Sequence, residues 1–141
     1  MEILTDGNIL WKTDNIAYSR PILYKFHYGE IWNNSGWTKI NPTLEGYAIP
    51  VKTGDIVLFR GDEDSYTEGY EYNHFDSTAQ FNISGNIKSL VNGGDYVYDN
   101  NYNNYNNIAN YAFKGLFKNC HTLISASKAY FPLPSKIGTF E

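Results

Sequence analysis

The side chains able to do acid–base, nucleophilic or metal chemistry in this chain are few and scattered. Its three histidines are His27, His74 and His121, and its single cysteine is Cys120. No Ser or Cys stands in a G-x-S-x-G setting, and neither an H-E-x-x-H nor a Walker sequence occurs. His121 follows Cys120 directly, but adjacent residues on a helix or strand project differently, so the pair does not read as a thiol–imidazole couple. The acids Asp62, Glu63, Asp64, Glu68 and Glu71 crowd one stretch, GDEDSYTEGYEYNHF at 61–75. Hard oxygen ligands suit calcium, yet the D-x-[DN]-x-[DN]-G spacing is absent, and a solvated loop is the better reading of the acids. Glycoside hydrolysis needs two carboxylates across a cleft, and these acids sit in one loop of a small chain. The pattern predicts a protein that is not an enzyme, with no catalytic, cofactor-binding or metal-binding residue.

Aromatic residues offer binding chemistry instead. Trp32 and Trp37 flank the turn signal NNSG at 33–36, where exposed indole rings would stack on sugar faces; the alternative is that they fill a core. Tyr98, Tyr102 and Tyr105 recur in the Asn-rich run NGGDYVYDNNYNNYNN, residues 92–107. They form either an exposed contact surface or the packing of that loop onto the domain.

Charge and composition exclude other classes. A net charge of −4 with no clustered Lys or Arg lacks the basic face that nucleic acid requires. No apolar run approaches the roughly 20 residues of a membrane span. The opening MEILTDGNILWKTDN has neither a basic n-region nor a long apolar h-region, so the chain as written predicts no export by signal peptide. A single cysteine excludes an internal disulfide and a multi-cysteine zinc cage, and reads as a small buried side chain.

The elements that must position these residues read as short strands. Aromatics reach 17%, which favours pleated, half-buried surfaces. ILYKFHY (22–28) alternates Ile22, Tyr24, Phe26 and Tyr28 on one face, and WTKI (37–40) follows the turn. Pro50 in YAIPV (47–51) predicts an edge strand or a strand end. KTGDIVLFRG (52–61) enters through a Thr-Gly-Asp turn, and Gly85 in FNISGNIKSL (81–90) marks a bulge or tight turn. From Ile108, IANYAFKGLFKNC has helix-like apolar offsets, and LISA then reads as a strand. The expected fold is mainly β: an antiparallel β-sandwich with a short C-terminal helix–strand unit. Its parts are a β-sandwich over 1–92, an Asn/Tyr-rich connector over 93–107 and a repeat-like unit over 108–141.

AFKGLFKNCHTLISA resembles the unit of BspA-type leucine-rich-repeat proteins, which runs roughly A-F-x-x-C-x-x-L-x-x-I before a Leu-Pro. Ala112-Phe113, Phe117, Asn119-Cys120, Leu123-Ile124 and Leu133-Pro134 stand at the matching places. YKFHYGEIWNNSGWTKI (24–40), GDIVLFRGDEDS (54–65) and FNISGNIKSLVNGGDY (81–96) resemble the β-domain that precedes such repeats in Bacteroidetes surface proteins and their phages. The resemblance spans roughly residues 20–134 and implies an inward Cys120 and a surface His121. Family members continue through many repeats, whereas this sequence carries one unit, and solenoid units rely on neighbours for burial. The expected cover is the chain's own β-domain on one side and a protein partner on the other.

The resemblance therefore implies a structural or decoration protein of a phage virion, engaging other virion proteins as a homo-oligomer or part of a larger assembly. The contact surface would take in Tyr98, Tyr102 and Tyr105 and the flank of 113–134, with Phe131 and Leu133. The alternatives are a glycan-binding module using Trp32 and Trp37, and a bacterial cell-surface adhesin.

Overall fold

Period-two burial sets the first long strand. In Gly7–Thr13 the side chains of Ile9, Trp11 and Thr13 are buried, while Asn8, Leu10 and Lys12 between them are half-exposed. The structure, a computed structural model, describes residues 1–27, 36–62, 70–90 and 114–130. In chain order the described elements are β1 (Glu2–Ile3), β2 (Gly7–Thr13), the 3-10 turn η1 (Ile16–Tyr18) and β3 (Ile22–His27). There follow β4 (Thr38–Ile40), β5 (Tyr47–Val51), β6 (Ile56–Gly61), β7 (Asn73–Ser77) and β8 (Phe81–Asn86). A second 3-10 turn, η2 (Ile87–Leu90), and β9 (Leu123–Tyr130) complete the set.

The strands form a six-stranded sheet, ordered β4-β3-β6-β1-β8-β9, and a three-stranded sheet, ordered β5-β2-β7. Their inner faces meet. Phe59 of β6 lies 4.9 Å from Phe75 of β7, ring centroid to centroid, and Trp11 of β2 lies 4.7 Å from Phe75. Ile3, Ile22, Ile40, Val57 and Phe81 from the larger sheet and Ile9, Trp11, Ile49 and Phe75 from the smaller one make one buried cluster. Pro50 does sit in an edge strand, because β5 borders the smaller sheet, where a missing N–H costs no ladder bond. Gly61 is required where η2 crosses β6, since a Cβ there would lie 1.9 Å from the Leu90 carbonyl oxygen. Tyr70 reaches the same carbonyl through its hydroxyl.

The carboxyl-terminal part departs from expectation. Between the described strands every pairing is antiparallel except β8–β9, which is parallel, with Phe81 opposite Leu123 and Ser84 opposite Lys128. The expected helix is not seen in its described portion: residues 114–119 form turns. Gly115 (φ 68°) and Asn119 (φ 57°) both take the left-handed conformation, which interrupts a right-handed helix twice within five residues.

These turns are built into the sandwich. Leu116 is 3% exposed and its carbonyl accepts from the Phe75 N–H at 2.7 Å, along the outer edge of β7. Phe117 stacks on Phe75 at 5.5 Å, and the Thr122 hydroxyl donates to the Ser77 carbonyl. Leu123, Ala126 and Ala129 of β9 pack against the core at intervals of three residues. Register shifts opposite Phe81–Asn82 and Asn82–Ser84 take up the extra residues as bulges. The chain's own β-domain thus covers one side of this unit. The expected connector over 93–107 lies outside the described residues.

Candidate functional site

At the end of the sandwich where β2 stops, the chain crosses to β3 through Asp14–Pro21, and this crossing is held from beneath. The side chain of Asn73, 1% exposed, donates through Nδ2 to the Tyr18 carbonyl and accepts through Oδ1 from the Arg20 N–H, both at 3.0 Å. The buried Trp11 indole donates to the Arg20 carbonyl at 2.8 Å. Asn15 caps η1 by accepting the Ala17 N–H, and the Ser19 hydroxyl donates to the Ile16 carbonyl. Two core side chains, from β7 and β2, therefore fix the backbone of a surface turn.

What this turn presents is apolar. Ile16 is 55% and Tyr18 56% exposed, and the Tyr18 ring lies 4.7 Å from that of Tyr72 at a 31° tilt. The neighbouring turn at 43–46 carries Leu44, 57% exposed. That turn is tied to the same end, because the Thr43 carbonyl accepts the Thr13 N–H at 3.0 Å and the Thr43 hydroxyl accepts the Gly46 N–H. Gly46 takes φ 104°, a conformation that excludes most side chains. Loops held by a rigid scaffold are where binding surfaces concentrate, and a pre-ordered apolar surface loses little entropy on association.

A second cluster surrounds Trp37. Its ring centroid lies 4.8 Å from Lys25 Nζ and 4.9 Å from the Arg60 guanidinium carbon. Its Nε1 is buried without an acceptor, a situation that costs about 1–3 kcal/mol. The ring thus bears two cations. Trp32 lies outside the described residues, as do Tyr98, Tyr102, Tyr105, Phe131 and Leu133.

The residues with chemical potential are not brought together. His27 is half-buried in β3, and His121 is exposed. His74 sits in β7 with Nδ1 3.7 Å from Asp14 Oδ2, and the same oxygen lies 3.7 Å from Lys118 Nζ. Burial lowers the His74 pKa, opposed by the Asp14 charge. Cys120 is half-buried beside the core, its Sγ 3.6 Å from the Thr122 hydroxyl; burial raises its pKa, away from a reactive thiolate. Of the acidic stretch, Asp62 pairs with Lys39 at 2.9 Å, and residues 63–69 lie outside the described residues. Among the described residues, no group of three His, Cys, Asp or Glu gathers as a metal site, and no helix is long and apolar enough to cross a membrane.

Sequence reasoning singled out Trp37 by type but missed Ile16, Tyr18 and Asn73. A local signal existed in NIAYSRP (15–21), where an Asn cap and a closing proline frame a short turn. No protein-family model matches this chain, and no curated protein or solved structure matches it either.

Proposed function

We propose that this chain is a non-enzymatic assembly protein, a phage virion component that engages neighbouring subunits through the loop end of its β-sandwich. The observation that carries this reading is the clamp on η1. Asn73 and Trp11 spend core hydrogen bonds on holding Ile16 and Tyr18 in water, where each exposes more than half its surface. Such a surface suits a partner that buries it. The virion setting rests on the resemblance of residues 24–40, 54–65 and 81–96 to the β-domain that precedes BspA-type repeats, and of 112–126 with Leu133-Pro134 to the repeat itself.

The test is incorporation. Ile16→Ser with Tyr18→Ser is expected to leave the circular dichroism spectrum and unfolding midpoint near wild type, because neither side chain is in the core. The same variant should be depleted from purified particles by quantitative mass spectrometry. Wild-type protein that is monomeric and absent from every particle fraction would refute the reading.

The open Tyr18–Tyr72 ring pair favours a second reading, a surface glycan-binding module, since paired tyrosines offer an apolar ledge for a sugar face. A glycan array probed with wild type and Tyr18→Ala decides it: signal lost in the variant supports that reading, and no wild-type signal removes it.

A further inference from the structure

On the outer face of the smaller sheet, pairing sets His74 of β7 opposite Lys12 of β2, with Asp76 two residues further along β7. Lys12 Nζ lies 3.9 Å from Asp76 Oδ2. Asp14, just past the end of β2, places Oδ2 3.7 Å from His74 Nδ1 and 3.7 Å from Lys118 Nζ. We propose that this cluster is a proton-driven latch. With His74 neutral, Lys118 ties the 114–119 turns to Asp14 at the root of η1; protonated His74 takes over that carboxylate and releases the Lys118 side chain.

The charges in the cluster give the direction. With His74 neutral, the carboxylates of Asp14 and Asp76 balance the ammonium groups of Lys12 and Lys118. A proton on His74 brings a third cation to two anions, and His74 then competes with Lys118 for one Asp14 oxygen. The imidazole side chain is 12% exposed and cannot retreat, whereas Lys118 is 57% exposed and reaches water by swinging its stem. Lys12, 27% exposed and facing Asp76, is the less free of the two ammonium groups. Burial lowers the His74 pKa, Asp14 and Asp76 oppose that, and Lys12 and Lys118 add to it, so the exchange falls below pH 6.5. Cys120, which feels the Asp76 charge, stays a neutral thiol there because burial raises its pKa. The backbone stays docked, since Leu116 remains in the core and bonded to Phe75. Acidification thus leaves a free ammonium beside the root of η1 in place of an ion pair.

The latch is read by carbon-13 NMR of the His74 ring and the Lys118 ε-methylene through the histidine titration range. His27 and His121 serve as internal references in the same spectra. The latch predicts that the Lys118 signal of wild type moves with the His74 midpoint. That step should vanish in His74→Gln and in Asp14→Asn.

Asp14 and Lys118 are both more than half exposed, so their substitution leaves the core intact. Lys118→Gln should raise the His74 midpoint and Asp14→Asn should lower it. Both differences should shrink in about 1 M sodium chloride, where the Debye length is about 3 Å. Lys12→Gln should also raise the midpoint but keep the Lys118 step, which separates competition for Asp14 from the general field. A Lys118 signal that stays flat through the His74 titration would overturn the latch, as would a His74 midpoint unmoved by Asp14→Asn or by Lys118→Gln.

Discussion

Asn73 shows how a polar residue can matter more to a surface than the residues on it. Its amide satisfies the Tyr18 carbonyl and the Arg20 N–H together, so Asn73→Ala leaves both groups without that partner. A loss of about 2 kcal/mol is expected from urea unfolding, with faster amide exchange at Arg20. His74 makes the second residue-level prediction. Its pKa is depressed below 6.5, chiefly by burial, with Asp14 and Asp76 opposing and Lys12 and Lys118 adding to the depression. The unfolded chain then takes up the proton more readily, so stability is present above about pH 6.5 and falls as pH drops through that value. The Met1 amine, held down to about 6 by burial, adds a slope of the same sign between pH 8.0 and about 6. His74→Gln should flatten the lower limb of a plot of unfolding free energy against pH and leave the upper one. An unchanged lower limb would contradict the assignment to His74. None of this was legible in the sequence, because Asn73 acts on residues 53 and 55 positions away.

Elements divide by how much of their burial is apolar. Tyr24 and Phe26 in β3, Pro50 in β5 and the Thr-Gly-Asp entrance to β6 announced their strands, and the structure places strands there. β7 reads in sequence as part of the acidic loop, since its inward residues are Asn73, Phe75 and Ser77, only one of them apolar. β2 was missed although Ile9, Trp11 and Thr13 alternate, because half-exposed Leu10 blurs the pattern. The helix expected over 108–120 failed in its described portion for a local reason, the left-handed Gly115 and Asn119. Periodicity alone does not register that conformation. At this scale Gly61→Ala tests the crossing of η2 over β6. The new methyl would overlap the Leu90 carbonyl, and a destabilisation of roughly 1–3 kcal/mol is expected by calorimetry or denaturant titration. A change near zero would mean that η2 shifts freely.

At the scale of the whole molecule, residues 114–130 belong to the sandwich rather than trailing from it. Leu116 is buried in the common core, Phe117 stacks on Phe75, and β9 completes the larger sheet beside β8. Leu116→Ala should therefore lower the stability of the entire domain, by about 2–5 kcal/mol, in one cooperative transition seen alike by tryptophan fluorescence and far-ultraviolet dichroism. A separate early transition would show instead a loosely attached tail. The sequence made the β class legible. It could not give the parallel pairing or the end-on apolar turn, which depend on contacts between segments far apart in the chain.

The most direct measurement compares hydrogen exchange across Asn15–Arg20 in free protein and in particle-bound protein. The assembly account predicts measurable protection in the free chain, from the bonds at Ala17, Ser19 and Arg20, and markedly slower exchange once the chain is bound. Identical exchange in the two states, with the chain demonstrably in the particle, would contradict docking through this surface.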